Sequence, residues 1–122
     1  MFSTWHQQGE ITDRTKVYQG PVFSVHQLHI KTPDALTVER DLIHTDPTVT
    51  ILALTHDEHV VLTSEYRVGI NADSVSLPAG IVNPGETAEQ AAAREFQEET
   101  GFVAESVTQM TTVTSSAGFM EQ

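Results

Sequence analysis

Between Thr87 and Gly101 the chain specifies both ends of one helix, and this constrains its fold more than any other stretch. Thr87-Ala88-Glu89-Gln90 is a capping box, in which the threonine hydroxyl accepts from the backbone of the third residue on and the glutamine returns a bond to the cap. Gly101 suits the left-handed position just past a helix end. Inside the helix, Glu95, Glu98 and Glu99 are spaced i, i+3, i+4. At about 100° per residue they fall within an arc of roughly 100°. Like charges at these spacings cost about 0.2–0.5 kcal/mol per pair, a cost that a bound cation removes. No cysteine and no paired histidine shares that face. All-oxygen ligation of this kind favours Mg²⁺ or Mn²⁺ over Zn²⁺. Ala92, Ala93, Phe96 and Thr100 lie on the neighbouring edge of the helix and are expected to pack on a sheet. Arg94 stands one turn before Glu98 and can pair with it.

A solvated surface is the commoner meaning of an acidic helix face, so the rest of the chain has to decide. Its net charge is −11, with 17 acidic residues against Arg14, Lys16, Lys31, Arg40, Arg67 and Arg94. Such a field repels polymeric nucleic acid and excludes it as an expected partner. A small anionic substrate fits only if a divalent metal reverses the local sign. The absence of cysteine excludes disulfides and thiolate sites and fits a reducing compartment. Residues 1–10 have no basic, apolar leader pattern, and no stretch reaches the roughly 20 apolar residues of a membrane span. A cytoplasmic protein with no membrane partner is expected.

Along the chain, Lys16–Gln19, Val22–Ile30 and Leu36–Ile43 read as a three-stranded antiparallel meander, with turns at Gly20-Pro21 and Thr32-Pro33-Asp34. Asp46-Pro47 breaks the pattern. Val49–Leu54 then reads as a strand, Thr55–His59 as a polar turn, and Val60–Thr63 as the returning hairpin partner. Ser74–Leu77 is a further strand, ended by Pro78, and Asn83-Pro84-Gly85 has the residues of a type II turn. Ser106–Thr114, rich in threonine and valine, reads as a strand after the helix. Two domains are expected, residues 1–47 as an antiparallel β subdomain and residues 48–122 as the core that carries the glutamate helix.

From Gly80 the text runs Gly, five residues, Glu86, seven residues, Arg94-Glu95, Phe96, Gln97, Glu98-Glu99, Thr100, Gly101, Phe102. This resembles, at every position, the Nudix box, Gly-x5-Glu-x7-Arg-Glu-U-x-Glu-Glu-x-Gly-U. Nine specified positions match by chance at about 10⁻⁹ per window at average residue usage. The resemblance implies a Nudix-type α/β/α sandwich in which water attacks a phosphorus of a nucleoside diphosphate linkage. It implies Glu95 and Glu99 as direct metal ligands, Glu98 as a further one, and the Ala79 carbonyl completing the protein shell. Arg94 orients carboxylates, Glu86 braces the loop, and Gly80 and Gly101 are structural.

Outside the box, Tyr66-Arg67, Leu77-Pro78-Ala79-Gly80 and Ser116-Ala117-Gly118-Phe119 resemble the ADP-ribose pyrophosphatase branch. That resemblance implies hydrolysis of ADP-ribose to AMP and ribose 5-phosphate, with NADH or a nucleotide-sugar as alternative substrates and a non-catalytic nucleotide-ligand sensor as the alternative class. It also implies a homodimer that exchanges the N-terminal sheet, with Arg67 and Ile81 contacting substrate and Arg40 reaching into the partner's site. Ala117 replaces a proline common in that branch. The family continues past the position of Gln122 through another core strand, a loop with an additional glutamate and a closing helix, so the C-terminal part of the fold is expected to be absent from this chain.

The six histidines read as surface or turn residues rather than ligands. His26 and His29 point to opposite faces of a strand, and His56 and His59 flank a turn. Phe2 and Trp5 suit either packing at an interface or a frayed segment.

Overall fold

Edges and turns decide which of these segments become sheet. The computed structural model describes residues 8–122, so Phe2 and Trp5 lie outside the described residues. Those residues form two compact units, one running to Asp46 and taking in Thr112–Gln122, the other spanning Pro47–Thr111.

In the first unit, β1 (Glu10–Gln19), β2 (Phe23–Lys31) and β3 (Thr37–Thr45) form an antiparallel meander, and β8 (Met120–Glu121) adds a parallel strand beside β3. The sheet order is β1-β2-β3-β8. β1 begins six residues earlier than its apolar text implies, because β2 supplies ladder partners as far as Glu10↔Lys31. The turn after β1 closes through the Gly20 N–H donating to the Phe23 carbonyl at 2.9 Å. The loop before β3 is tied by Thr32, whose hydroxyl accepts from the Leu36 N–H at 3.1 Å. β2 buries Ser24, His26 and Leu28, the face opposite the apolar pair Phe23 and Val25. His26 is therefore interior rather than the surface residue its polarity implies. Its partners make this possible: Arg14 Nε donates to Nδ1 at 3.1 Å, leaving Nε2 to bond Ser24 Oγ at 3.0 Å.

The second unit holds two small sheets and the helix. β4 (Thr48–Thr50) pairs antiparallel with β7 (Ala79–Ile81), and bonds from Ile51 N to Pro78 O and Val82 N to Pro47 O extend the pair. β5 (Thr63–Arg67) and β6 (Ala72–Ser76) form a hairpin whose turn carries Asn71 at φ 49°. The strand expected over Val49–Leu54 is cut short after Thr50, and Leu54 makes only a single bridge to Val60. The turn expected at Thr55–His59 is present, closed by Thr55 N to His59 O at 2.9 Å. Ser106–Thr114 joins no sheet. β-branched composition lowers the cost of an extended backbone, but a strand exists only where a neighbouring edge supplies its ladder.

The helix α1 (Ala88–Thr100) matches its signals. Thr87 accepts from Gln90 N, Gln90 returns the bond to the cap, and Gly101 sits at φ 76° with its N–H on Gln97 O. Ala91, Ala92 and Phe96 are its buried residues, and Phe96 stacks on Phe102 at 6.3 Å between ring centroids. Among the described residues no helix is long and apolar enough to cross a membrane.

Candidate active site

The capped helix fixes where its glutamates stand, and β7 meets it one residue at a time. The Ala79 N–H donates to Glu99 Oε2 at 3.3 Å. At Gly80 a side chain is impossible without movement, since an added Cβ would lie 2.0 Å from the Glu95 carboxyl carbon. The Ile81 carbonyl accepts from Arg94 Nη2 at 2.8 Å. Three consecutive strand residues are thus matched to residues 99, 95 and 94 of the helix.

Arg94 is the hub. Its Nε and Nη2 hold Glu86 with a two-pronged bond, at 2.8 Å to Oε1 and 2.9 Å to Oε2. Its Nη1 donates to Glu95 at 2.7 Å and to Glu98 at 3.3 Å. A planar guanidinium suits this role because its donors form a rigid fork. The electrostatic consequence is large at the loop. The Arg94 hydrogen bonds, helped by the Asn83 N–H, pull the Glu86 carboxyl from 4.5 down to about 2. Glu86 and then Glu95 push Arg94 above its ordinary value. The pairing expected between Arg94 and Glu98 is present but longer than the bond to Glu86, which the i, i+4 rule does not reveal. Asn83, whose N–H donates to Glu86 Oε2 at 3.0 Å, has a role beyond the turn that its residue type indicates. Its signal was its place in the loop beside an acidic acceptor.

The structure therefore brings together Ala79, Gly80, Ile81, Glu86, Arg94, Glu95, Glu98 and Glu99. Gly101 acts at the helix end. Arg67 stands in the β5–β6 hairpin paired with Glu65 at 2.7 Å, and Arg40 stands on β3 with its Nη1 on the Glu39 carbonyl. Ile81 keeps 45% of its surface exposed.

The donors beside β7 are all oxygen, the type a hard divalent cation takes. Glu98 and Glu99 are exposed, and Gly80 leaves no side chain against Glu95. The residues present thus fit such an ion by donor chemistry and access. Among the described residues no three His, Asp or Glu side chains converge as a ready metal cage, and Arg94 pairs with Glu95 and Glu98.

The NUDIX domain family profile matches residues 44–122, about two-thirds of the chain. This chain belongs to the NUDIX domain family. It is similar to the ADP-ribose pyrophosphatase of Bacillus subtilis (strain 168), 27% identical over 109 residues, covering 89% of this chain and 59% of that protein. It is also similar to the methanol dehydrogenase activator of Bacillus methanolicus, 26% identical over 107 residues, covering 88% and 58%. A crystal structure of an ADP compounds hydrolase matches with a TM-score of 0.82 over 97% of this chain and 64% of that one, at 24% identity, so the NUDIX fold is shared. The chain spans under three-fifths of the length of those two curated relatives.

Proposed function

We propose that this NUDIX domain belongs to a hydrolase that cleaves the pyrophosphate of a nucleoside diphosphate linked to a second moiety, with ADP-ribose giving AMP and ribose 5-phosphate. The observation that carries this is the Arg94-centred helix face set against β7, with Glu95 under Gly80 and Glu99 at the Ala79 N–H. The similarity to an ADP-ribose pyrophosphatase supports the choice of substrate.

Glu95, Glu98, Glu99 and the Ala79 carbonyl are the groups that would hold Mg²⁺, with Mn²⁺ as a substitute. Bound there, the ion would polarise a phosphoryl oxygen and lower the pKa of the attacking water. Arg94 positions Glu95 and Glu98, while Glu86 takes the other edge of its fork and braces the loop. Arg67 and Ile81 are assigned to substrate contact. Arg40 is assigned to the partner's site in a homodimer built through residues 1–47, with residues 48–122 as the catalytic core. The location is cytoplasmic.

Incubation of the intact protein with ADP-ribose and Mg²⁺, with AMP and ribose 5-phosphate as readouts, tests the reaction. Glu98→Gln and Glu99→Gln are each expected to lower kcat by at least about 100-fold, since even outer partners of a metal site typically cost 10–100-fold. Undiminished turnover in both variants sinks the assignment. A panel with NADH and nucleotide-sugars fixes the substrate. The alternative class is a nucleotide-binding sensor that does not turn over. Binding of ADP-ribose without products would select it.

A further inference from the structure

We propose that Asn83 is a positioning residue for the glutamate face, acting through Arg94. This rests on the hydrolase reading for its consequence but not for its geometry. Asn83 lies in the loop between β7 and α1 and is exposed. Turned so that its amide oxygen faces donors, its side chain accepts from Arg94 Nη2 at 3.1 Å and from Nε at 3.3 Å. The opposite orientation would face the amide nitrogen toward the guanidinium donors and leave the Asn83 amide without these bonds, while Arg94 keeps those to Glu86 and Ile81.

The placement matters because Arg94 is oversubscribed. One positive charge serves Glu86, Glu95 and Glu98. The Nε–Nη2 edge belongs to Glu86 and the Ile81 carbonyl, and Nη1 alone reaches the helix carboxylates. An acceptor that anchors the first edge without adding negative charge keeps the fork in the loop-facing orientation. Nη1 then stays directed at Glu95 and Glu98. An aspartate in place of Asn83 would supply the same oxygen but become a fourth carboxylate on one guanidinium, drawing it toward the loop and lengthening the 3.3 Å contact to Glu98.

The test uses the intact protein with ¹⁵N-labelled arginine, without metal or substrate. The exchange rate of the Arg94 Nε proton is compared in the wild type, Asn83→Ala and Asn83→Asp, alongside Mn²⁺ binding and the split between kcat and KM for ADP-ribose. Alanine at an exposed position leaves folding intact, and a melting curve verifies it. Asn83→Ala is expected to speed Arg94 exchange by about tenfold and, because it acts one step beyond Arg94, to lower kcat by about 3- to 10-fold with KM little changed. Asn83→Asp is expected to restore slow exchange while weakening the Arg94 contact to Glu98, seen as a kcat that stays reduced. Unchanged Arg94 exchange in Asn83→Ala overturns the proposal. So does faster exchange that Asn83→Asp fails to rescue, which would mean that the loop rather than the oxygen acts. Slow exchange restored by Asn83→Asp in a protein that hydrolyses nothing would uphold the positioning role and remove only the hydrolase reading.

Discussion

The box loop gathers its carboxylates on an arginine, whereas the carboxylates that face each other across β1, β2 and β3 meet at a histidine. In the loop, Arg94 serves Glu86, Glu95 and Glu98 and remains charged at any pH the fold meets. In the meander, His29 lies in register between Asp13 on β1 and Glu39 on β3, at 3.5 Å and 3.0 Å. The first network keeps its charge throughout, and the second gains its charge as pH falls through a His29 pKa that Glu39 raises above the ordinary imidazole value. Where carboxylates must be presented in a fixed pattern, the chain spends an arginine. Where three strands merely need joining, a histidine suffices.

The largest effect is expected where the loop tolerates least. Gly80→Ala puts a Cβ against the Glu95 carboxyl carbon, so that carboxylate must swing away from Arg94 Nη1 and turnover should fall at least about 100-fold, with little change in urea denaturation because the end of a flexible side chain can move. Arg94→Lys keeps the charge but loses the fork, so turnover should fall about 10- to 100-fold with the fold retained by circular dichroism. Thr87→Ala removes the cap and should cost about 1 kcal/mol, read by thermal melting.

The smallest effects separate the two networks by pH. The Glu86 carboxyl is depressed from 4.5 to about 2, so its contribution is complete above about 4.5 and is lost as pH falls through about 2; Glu86→Gln should abolish it in acid titration of stability. His29 is raised above 6.5, chiefly by its bond to Glu39. Its contribution is therefore complete below that value and fades as pH rises through the folded one. His29→Gln should flatten that slope. On the other face of β2, His26 is lowered by burial first and then by Arg14, Lys16 and His44, so it contributes above 6.5 and loses its share as pH falls. If His29→Gln and His26→Gln each removed a slope of the same sign, the distinction between the two faces of β2 would be erased.

The contrast also explains what could be read from the amino acids. Thr87, Gln90 and Gly101 act within a few residues of themselves, so the helix and its glutamate face were legible directly. The meander was legible in outline for the same reason, since its turns are local. The two-residue strand Met120–Glu121 was not, because it exists by virtue of β3, to which Ile43 N donates from across the sequence to Phe119 O. Ser106–Thr114 failed in reverse, having strand composition without a sheet to join. In the site, residue types and spacing pointed to Glu95, Glu98 and Glu99, but the division of Arg94 between loop and helix depends on where β7 lies, which no periodicity records.

The matching of Ala79, Gly80 and Ile81 to Glu99, Glu95 and Arg94 makes the strand and helix a keyed joint. Sliding either element by one residue would drive the methyl of Ala79 or the side chain of Ile81 into the space that only Gly80 leaves open. The loop from Val82 to Thr87 is therefore a spacer of set length as well as the holder of Asn83, Glu86 and Thr87: a residue added or removed must be absorbed before the key, or the joint no longer closes.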